Sequence, residues 1–262
     1  MDYLKAGIHW GHVAVRAAGY GALSMAFGTF RGPNPVSHWA MQQWCTGACK
    51  GLHINLELID GHKLPRGQVI YVANHASLLD ILVVGCFLPF DFRYLAKESV
   101  FKVPFLGQHL AQQGHLRVYR GRKRHLNHTL PLRIHKVVEQ GASVLFFAEG
   151  TRSTNGELFS FKMGAFDAAI REGLSIQPIV LRGTAAMMNR QAMDIVGEEA
   201  RSGSVTVLEP IGLDTLVGDD TQRAEQLRDL TWTAMARELG QLGDEALRND
   251  HTETLPLEAR SR

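Results

Sequence analysis

The chain has 262 residues, of which 45% are hydrophobic, and a formal net charge of +2. This length suits one domain, or one domain with an appendage, and it can bury a proper core, so we expect a globular chain. The small net charge gives no reason to expect a nucleic-acid partner. Three cysteines, Cys45, Cys49 and Cys86, cannot all pair with one another, which favours a reducing, cytoplasmic setting.

The first fifty-two residues differ in composition from the rest. The run from Val13 to Phe30 is rich in Ala, Gly, Met and Phe, and Arg16 is its only charge, which makes it marginal as a membrane span. The sequence Gly32-Pro33-Asn34-Pro35 must break a helix, and His38 to Leu52 contains two tryptophans. We predict a membrane-associated helical hairpin over residues 1–52 that dips into one leaflet; a helical pair packed on the core is the alternative.

A metal site is one interpretation of Cys45, Cys49 and His53, which are spaced four residues apart and could share a helix face. No fourth ligand is evident and buried free cysteine is common, so we expect no metal. The chain also lacks a P-loop, a G-x-G-x-x-G motif, an H-E-x-x-H motif and a G-x-S-x-G elbow, which argues against the enzyme classes that depend on them.

The next segment places a histidine after a buried strand. Residues 54–59 are predicted as a first core strand, and Val69-Ile70-Tyr71-Val72 is typical of a second one, which Asn74 ends. An apolar helical pattern opens at Ser77. His75 therefore falls in a strand-to-helix loop, where a rigid sheet can present a side chain to a cleft.

Asp80 lies five residues after His75, in the first turn of the predicted helix. One interpretation of Ser77-x-x-Asp80 is a capping box that stabilises the helix start. Another is that Asp80 reaches back to one imidazole nitrogen of His75, fixing its tautomer and leaving the other nitrogen to take a proton. The two are compatible, because a carboxylate has several acceptor sites.

Basic residues mark the middle of the chain. Lys97 comes just past a strand predicted over 92–95, where it faces either solvent or a substrate phosphate. The densest basic run is Arg117, Arg120, Arg122, Lys123 and Arg124. Such a run is typical of a solvated loop, and an anionic partner is the functional alternative.

A second strand, predicted over 144–147, leads into Glu149-Gly150-Thr151-Arg152-Ser153. Gly150 lets backbone approach a ligand, the two hydroxyls are polar contacts, and Arg152 has a planar fork suited to phosphate. Taken alone, the same loop is also typical of an ordinary turn with a solvated arginine.

The alternation of strands and helices predicts an α/β fold with a mixed β-sheet flanked by helices, besides the N-terminal membrane-associated hairpin. We expect a catalytic domain over residues 53–242 and a polar, mobile tail over 243–262. The remaining predicted elements are a helix over 129–140, a helix over 165–172 that follows Lys162, strands over 176–182 and 205–209, and an amphipathic helix over 221–240.

Four blocks of this sequence resemble, in order and spacing, the glycerolipid acyltransferase family, which includes the 1-acyl-sn-glycerol-3-phosphate acyltransferases. The resemblance covers roughly residues 54 to 210. The blocks are Asn74 to Asp80, Lys97 to Arg120, Phe147 to Ser153, and Phe161 to Thr184.

The resemblance implies transfer of an acyl chain from an acyl-CoA or acyl-carrier-protein thioester to the sn-2 hydroxyl of lysophosphatidic acid, giving phosphatidic acid for phospholipid biosynthesis. It implies a membrane lysophospholipid as partner, acyl carrier protein as one candidate donor, no nucleic acid and no cofactor beyond the co-substrate. The implied location is the cytoplasmic face of the inner membrane, peripheral or monotopic. A lyso-ornithine lipid or another lysophospholipid is an alternative acceptor, and a peripheral lipid- or acyl-carrier-protein-binding protein is the non-enzymatic alternative.

The resemblance also implies roles. His75 is the expected general base, with Asp80 holding it, and Glu149 either contacts the substrate or orders its loop. Backbone N–H groups near Gly150 are expected to hold the oxyanion, and the basic run would contact lipid headgroups or acyl carrier protein. The expected phosphate-binding residues are Arg152, Arg120 (in the family's phosphate-contacting position), Lys97 and Lys162; the expected substrate-loop residues are Asn74, Glu149, Gly150, Thr151 and Ser153.

Overall fold

A computed structural model describes residues 3–27, 35–89, 91–103, 106–153, 156–189, 194–195 and 201–242. The helices are α1 (Tyr3–Phe27), α2 (Pro35–Gly51), α3 (Asp80–Phe87), α4 (Leu106–Gln112), α5 (Leu130–Glu139), α6 (Gly164–Glu172), α7 (Thr184–Met187) and α8 (Asp220–Glu238). The strands are β1 (Asn55–Ile59), β2 (Ile70–Ala73), β3 (Phe92–Lys97), β4 (Leu116–Val118), β5 (Ser143–Phe147), β6 (Ile176–Arg182), β7 (Met188–Asn189), β8 (Asp194–Ile195) and β9 (Ser202–Val207).

Seven of these strands form one sheet in the order β1-β9-β6-β2-β5-β3-β4. The five from β6 to β4 run parallel, β9 pairs antiparallel with β6, and β1 pairs parallel with β9. The predicted mixed sheet is therefore confirmed. Because parallel strands end at one edge, the residues that follow Ala73, Lys97, Val118 and Phe147 all lie along that edge.

Alternation along β2 divides the core between the two faces of the sheet. Tyr71 and Ala73 belong to a cluster with side chains of α2 and α3, whereas Ile70 and Val72 belong to one with α5, α6 and α8. All four residues are fully buried. A central strand covered on both faces is the arrangement expected of parallel sheets, and it fixes the loop that begins at Asn74.

The N-terminal helices form an antiparallel pair. The side chain of Arg16 lies over Gly47, and that of His12 lies over Gly51, four residues further along, so a Cβ at either glycine would overlap it. Arg16 Nε also donates to His12 Nε2 at 2.9 Å. The charge that weakens this run as a membrane segment is thus turned towards α2.

The second helix packs on the sheet, since Cys45, Ala48 and Leu52 are buried in the same cluster as α3. This agrees with the alternative of a helical pair packed on the core, and insertion of the pair into a leaflet stays a prediction. Within the described ranges, no helix combines the length and the apolarity needed to cross a membrane. The tail over 243–262 lies outside the described residues, and the division at residues 52 and 242 also stays a prediction.

Several predicted bounds need correction. The helix predicted to open at Ser77 begins at Asp80, and the strand predicted over 205–209 occupies 202–207. Three residues of the basic run, Arg122, Lys123 and Arg124, lie in a 3-10 helix, Gly121–Thr129, rather than in a loop. Arg117 lies in β4. The short elements β4, α7, β7 and β8 have two to four residues, too few for periodicity to identify.

The cysteines do not gather with His53. Cys45 and Cys49 face the core, where burial raises the pKa of the Cys45 thiol, while His53 is exposed. The Sγ atoms of Cys49, on α2, and Cys86, on α3, lie 3.7 Å apart. In the part of the chain that the structure describes, no group of three or more His, Cys, Asp or Glu residues could hold a metal ion.

Candidate active site

His75 and Asp80 form a hydrogen-bonded pair at the carboxyl end of β2. The imidazole Nδ1 lies 2.7 Å from Asp80 Oδ2, which confirms the predicted contact. The His75 side chain is 16% exposed, and the Asp80 side chain is fully buried. An acceptor on Nδ1 fixes the tautomer that leaves the lone pair on Nε2.

The same carboxylate oxygen orders the loop. Asp80 Oδ2 also accepts the backbone N–H groups of Ala76, at 2.7 Å, and Ser77, at 2.8 Å. The capping box is therefore only half formed: the carboxylate bonds back to Ser77, but Ser77 Oγ accepts from Leu79 rather than from Asp80. The two backbone N–H groups hold this oxygen in place beside the imidazole, which is its third donor.

Glu149 joins the two loops of the site. Its Oε1 accepts the N–H of His75 at 2.8 Å, and its Oε2 accepts the N–H of Phe159 at 3.1 Å. The Ser153 N–H donates to the His75 carbonyl at 2.8 Å, so the backbone of His75 is held at both polar groups. The geometry therefore favours ordering of the loop, rather than contact with the substrate, as the role of Glu149.

Glu149 is 3% exposed. Burial, with a smaller contribution from the nearby Asp80 carboxylate, raises the pKa of Glu149 to about 7, although the N–H bonds from His75 and Phe159 oppose that rise. Burial dominates because ionisation in a dry environment costs more than two hydrogen bonds return.

Asn74 and Ser153 were expected in the substrate loop, yet both are buried. The Asn74 carboxamide donates to the Leu181 carbonyl at 2.9 Å and accepts the Leu181 N–H at 2.7 Å, which ties the end of β2 to β6. The sequence shows the amide but not its partner, so this structural role was missed. Thr151, by contrast, is exposed at the sheet edge.

Gly150 sits between two of the predicted phosphate-binding cations. Its φ of +69° favours glycine, and an added Cβ would lie 2.5 Å from Lys162 Cε. On its other side, Arg120 Nη2 donates to the Gly150 carbonyl at 2.5 Å. The glycine thus allows the cations at 120 and 162 to approach the loop that carries Arg152.

The expected cations line the same edge of the sheet as His75. Arg152 is half-buried, whereas Lys97, at the end of β3, is exposed, as are Arg120 and Lys162. Among the described residues, none of these four side chains forms a salt bridge with a carboxylate. Unpaired cations beside a histidine–aspartate pair can bind an anionic group and present a neighbouring hydroxyl to the imidazole.

One of the backbone N–H groups at the expected oxyanion site near Gly150 is already occupied. The Gly150 N–H donates to the Phe147 carbonyl at 3.0 Å, so it is not available to an oxyanion. Within the described ranges, the N–H groups of Thr151 and Arg152 donate no backbone hydrogen bond. These two are the candidates in its place.

The sequence did not identify the aromatic neighbour of the His75 ring. The Phe147 ring stacks on it with centroids 4.2 Å apart and planes 20° apart. In the sequence, Phe147 is the last apolar residue of a predicted strand and the first residue of a block that resembles the family, but no local signal indicates which ring it meets.

Comparisons with known proteins identify the family of this chain. A model of the family described as Acyltransferase matches residues 55–182. A 1-acyl-sn-glycerol-3-phosphate acyltransferase of Saccharomyces cerevisiae is 30% identical over 235 residues, which cover 84% of this chain and 72% of the relative. One of Chlamydomonas reinhardtii is 31% identical over 221 residues, which cover 83% of this chain and 62% of the relative.

The matches to other relatives are more local. A chloroplastic 1-acyl-sn-glycerol-3-phosphate acyltransferase of Arabidopsis thaliana is 36% identical over 135 residues, and this chain spans 37% of that relative's length. The crystal structure of the 1-acyl-sn-glycerophosphate acyltransferase PlsC from Thermotoga maritima has a TM-score of 0.73 and covers 92% of this chain and 97% of its own. At 19% identity that likeness concerns the fold.

The match to the yeast relative therefore covers more than two thirds of both chains. The matched segment holds the His75–Asp80 pair, the Glu149 bridge and all four cations, of which Arg120, Arg152 and Lys162 contact, flank or belong to one loop. This chain belongs to the glycerolipid acyltransferase family.

Proposed function

We propose that the chain is a 1-acyl-sn-glycerol-3-phosphate acyltransferase, which transfers an acyl chain from a CoA or acyl-carrier-protein thioester to the sn-2 hydroxyl of lysophosphatidic acid. The observation that carries the proposal is a buried Asp80 bonded to His75 at a sheet edge that also bears cations with no carboxylate partner among the described residues. Support also comes from relatives whose names state this activity.

The first step is proton removal from the acceptor. His75 Nε2 takes the proton of the glycerol hydroxyl as its oxygen attacks, and Asp80 holds Nδ1–H and stabilises the imidazolium that forms. A hydroxyl is a weak nucleophile at neutral pH, so a positioned base contributes about 10²- to 10⁴-fold in rate.

The second step is collapse of the tetrahedral intermediate. The attack has already formed the new C–O bond; now the oxyanion re-forms the carbonyl, the C–S bond breaks, and the imidazolium returns its proton to the leaving thiolate. The N–H groups of Thr151 and Arg152 are the proposed donors to the oxyanion. The oxygen attacks the thioester directly, so no acyl-enzyme is required.

The third part is positioning. Arg152, assisted by Arg120, Lys97 and Lys162, binds the phosphate and thereby fixes which hydroxyl faces His75. Fixing the acceptor relative to base and thioester lowers the barrier by about 7–11 kcal/mol at best. A lyso-ornithine lipid would offer a carboxylate to the same cations, which makes it the acceptor to test against.

Membrane attachment is also proposed, on the cytoplasmic face of the inner membrane. Exposed apolar side chains on the N-terminal pair, Val15, Val36 and Trp39, support a hairpin that enters one leaflet. Residues 99–138 hold eight of the 28 basic residues and none of the 26 acidic ones, so this segment carries +8 and the rest of the chain −6. Such a segment suits anionic headgroups or an acidic carrier protein.

One assay tests the reaction. Purified protein receives labelled acyl-CoA or acylated carrier protein together with lysophosphatidic acid, lyso-ornithine lipid or lysophosphatidylcholine in turn. We expect phosphatidic acid from lysophosphatidic acid and its loss in His75→Ala. Product from lyso-ornithine lipid alone would mean that this lipid, and not lysophosphatidic acid, is the acceptor. No product from any donor and acceptor pair would favour the non-enzymatic alternative.

A wash tests the attachment. Membranes that carry the full chain are treated with high salt and, separately, with alkaline carbonate. We expect the protein to resist both, as an inserted hairpin would. Release by salt alone would mean that the basic segment docks electrostatically and that the helical pair stays on the core.

A further inference from the structure

The stacked ring on His75 follows from the strand register. Ala73 of β2 pairs with Phe147 of β5, and His75 follows Ala73 by two residues. Side chains two apart along an extended chain lie on the same face of a sheet. Phe147 accordingly packs against the α2 and α3 side, while its neighbour Phe146 is buried on the opposite side, with α5, α6 and α8.

This contact completes the confinement of the imidazole. Asp80 fixes one edge at 2.7 Å, Phe147 covers one face at 4.2 Å, and Glu149 and Ser153 hold the backbone. Among the described residues, no hydrogen-bond partner meets Nε2. The ring therefore has one polar edge left for a substrate and little freedom to turn.

We infer that Phe147 is a positioning residue for acyl transfer, which holds the imidazole plane and stabilises the imidazolium through the face of its own ring. The face of an aromatic ring carries negative potential and attracts a cation within about 6 Å of its centroid. Neutral imidazole gains less from this contact than the imidazolium formed as the hydroxyl loses its proton. The stabilisation is thus larger in the transition state than in the ground state. The inference rests on the proposed role of His75 as base.

The test compares two neighbouring substitutions. Phe147→Leu keeps an apolar side chain but removes the ring, and Phe146→Leu makes the same change on the opposite face, away from His75. We expect Phe147→Leu to lower kcat about three- to thirtyfold with little change in KM for lysophosphatidic acid. The acidic limb of its pH–rate profile should move to lower pH. Phe147→Tyr, which retains the ring, should restore kcat to within about twofold.

A second readout needs no substrate. The imidazole C–H protons of His75 lie over the face of the Phe147 ring, so in NMR spectra their resonances should move downfield in Phe147→Leu and stay in place in Phe146→Leu. Equal kcat, pH profile and ring resonances in the two leucine variants would overturn the inference. Lack of turnover by the unmodified protein, with the NMR difference present, would count against the proposed function instead.

Discussion

The two halves of the candidate site are built in opposite ways. The acid–base half consists of His75 and Asp80. Asp80 bonds to the His75 ring and to the backbone of the loop after β2, the His75 ring stacks on Phe147 of β5, and little of either side chain is exposed. In the phosphate half, Arg120 and Lys162 are exposed, and no described carboxylate pairs with them. The first half is held by contacts within the protein, and under the proposed function the second half gains its partner when the substrate phosphate binds. Substitutions in the two halves should therefore have different kinetic effects.

The largest effect is expected for the base. His75→Ala should lower kcat about 10²- to 10⁴-fold, because His75 is the general base of the proposed mechanism. The measurement is formation of labelled phosphatidic acid, with His62→Ala, an exposed histidine in the turn after β1, as the control. A kcat within tenfold of the unmodified protein would remove His75 as base.

The next effect is expected in the phosphate half and should appear in KM. Arg152→Ala should lower kcat/KM for lysophosphatidic acid about ten- to hundredfold, since hydrogen bonds to charged groups contribute about 1.5–3 kcal/mol. Arg152→Lys should recover part of the loss because it keeps the charge without the planar fork. Arg66→Ala, at an exposed site in another turn, is the control. A fall in kcat alone would place Arg152 with the acid–base half.

A smaller effect follows from the buried Glu149. Its pKa in the folded protein, about 7, exceeds the ordinary value of 4.5, so the folded state binds the proton more tightly. Its contribution to the free energy of unfolding is therefore largest at low pH. That contribution, roughly 1–3 kcal/mol, is lost as pH rises from about 4.5 to about 7. Urea unfolding at several pH values should show this slope in the unmodified protein and less of it in Glu149→Gln.

The matched control for that measurement is Glu157→Gln, which changes an exposed carboxylate eight residues further along. Its free energy of unfolding should follow the same pH dependence as that of the unmodified protein. If Glu149→Gln and Glu157→Gln give the same slope, Glu149 ionises as readily in the folded state as in the unfolded chain.

The smallest effect on chemistry is expected outside both halves. Arg122 and Arg124 are exposed on the 3-10 helix that follows Arg120. Their double substitution by Ala should leave kcat on dispersed lysophosphatidic acid within about twofold but weaken binding to vesicles rich in anionic lipid by about 1 kcal/mol per residue. Vesicle sedimentation measures this, and unchanged binding would assign the basic segment to a protein donor or to solvent.

Much of the acid–base half could be predicted from the sequence, and the reason is its locality. The contact between His75 and Asp80 spans five residues, so a strand followed by a helix is enough to bring them together. Even here the prediction placed the start of α3 three residues too early, at Ser77 instead of Asp80. The turn before α3 is held by the Asp80 side chain rather than by a Ser77 cap.

The sequence by itself determined the α/β class, the central strands and the His75–Asp80 pair, because periodicity and short spacing act locally. Only the tertiary structure decided that Glu149 bridges to a backbone 74 residues away, that Asn74 pairs with Leu181 at 107 residues, and that Phe147 stacks on His75. Parallel strands are joined by long crossovers, so neighbours in this sheet are distant in the chain, and no local pattern states which strand lies beside which.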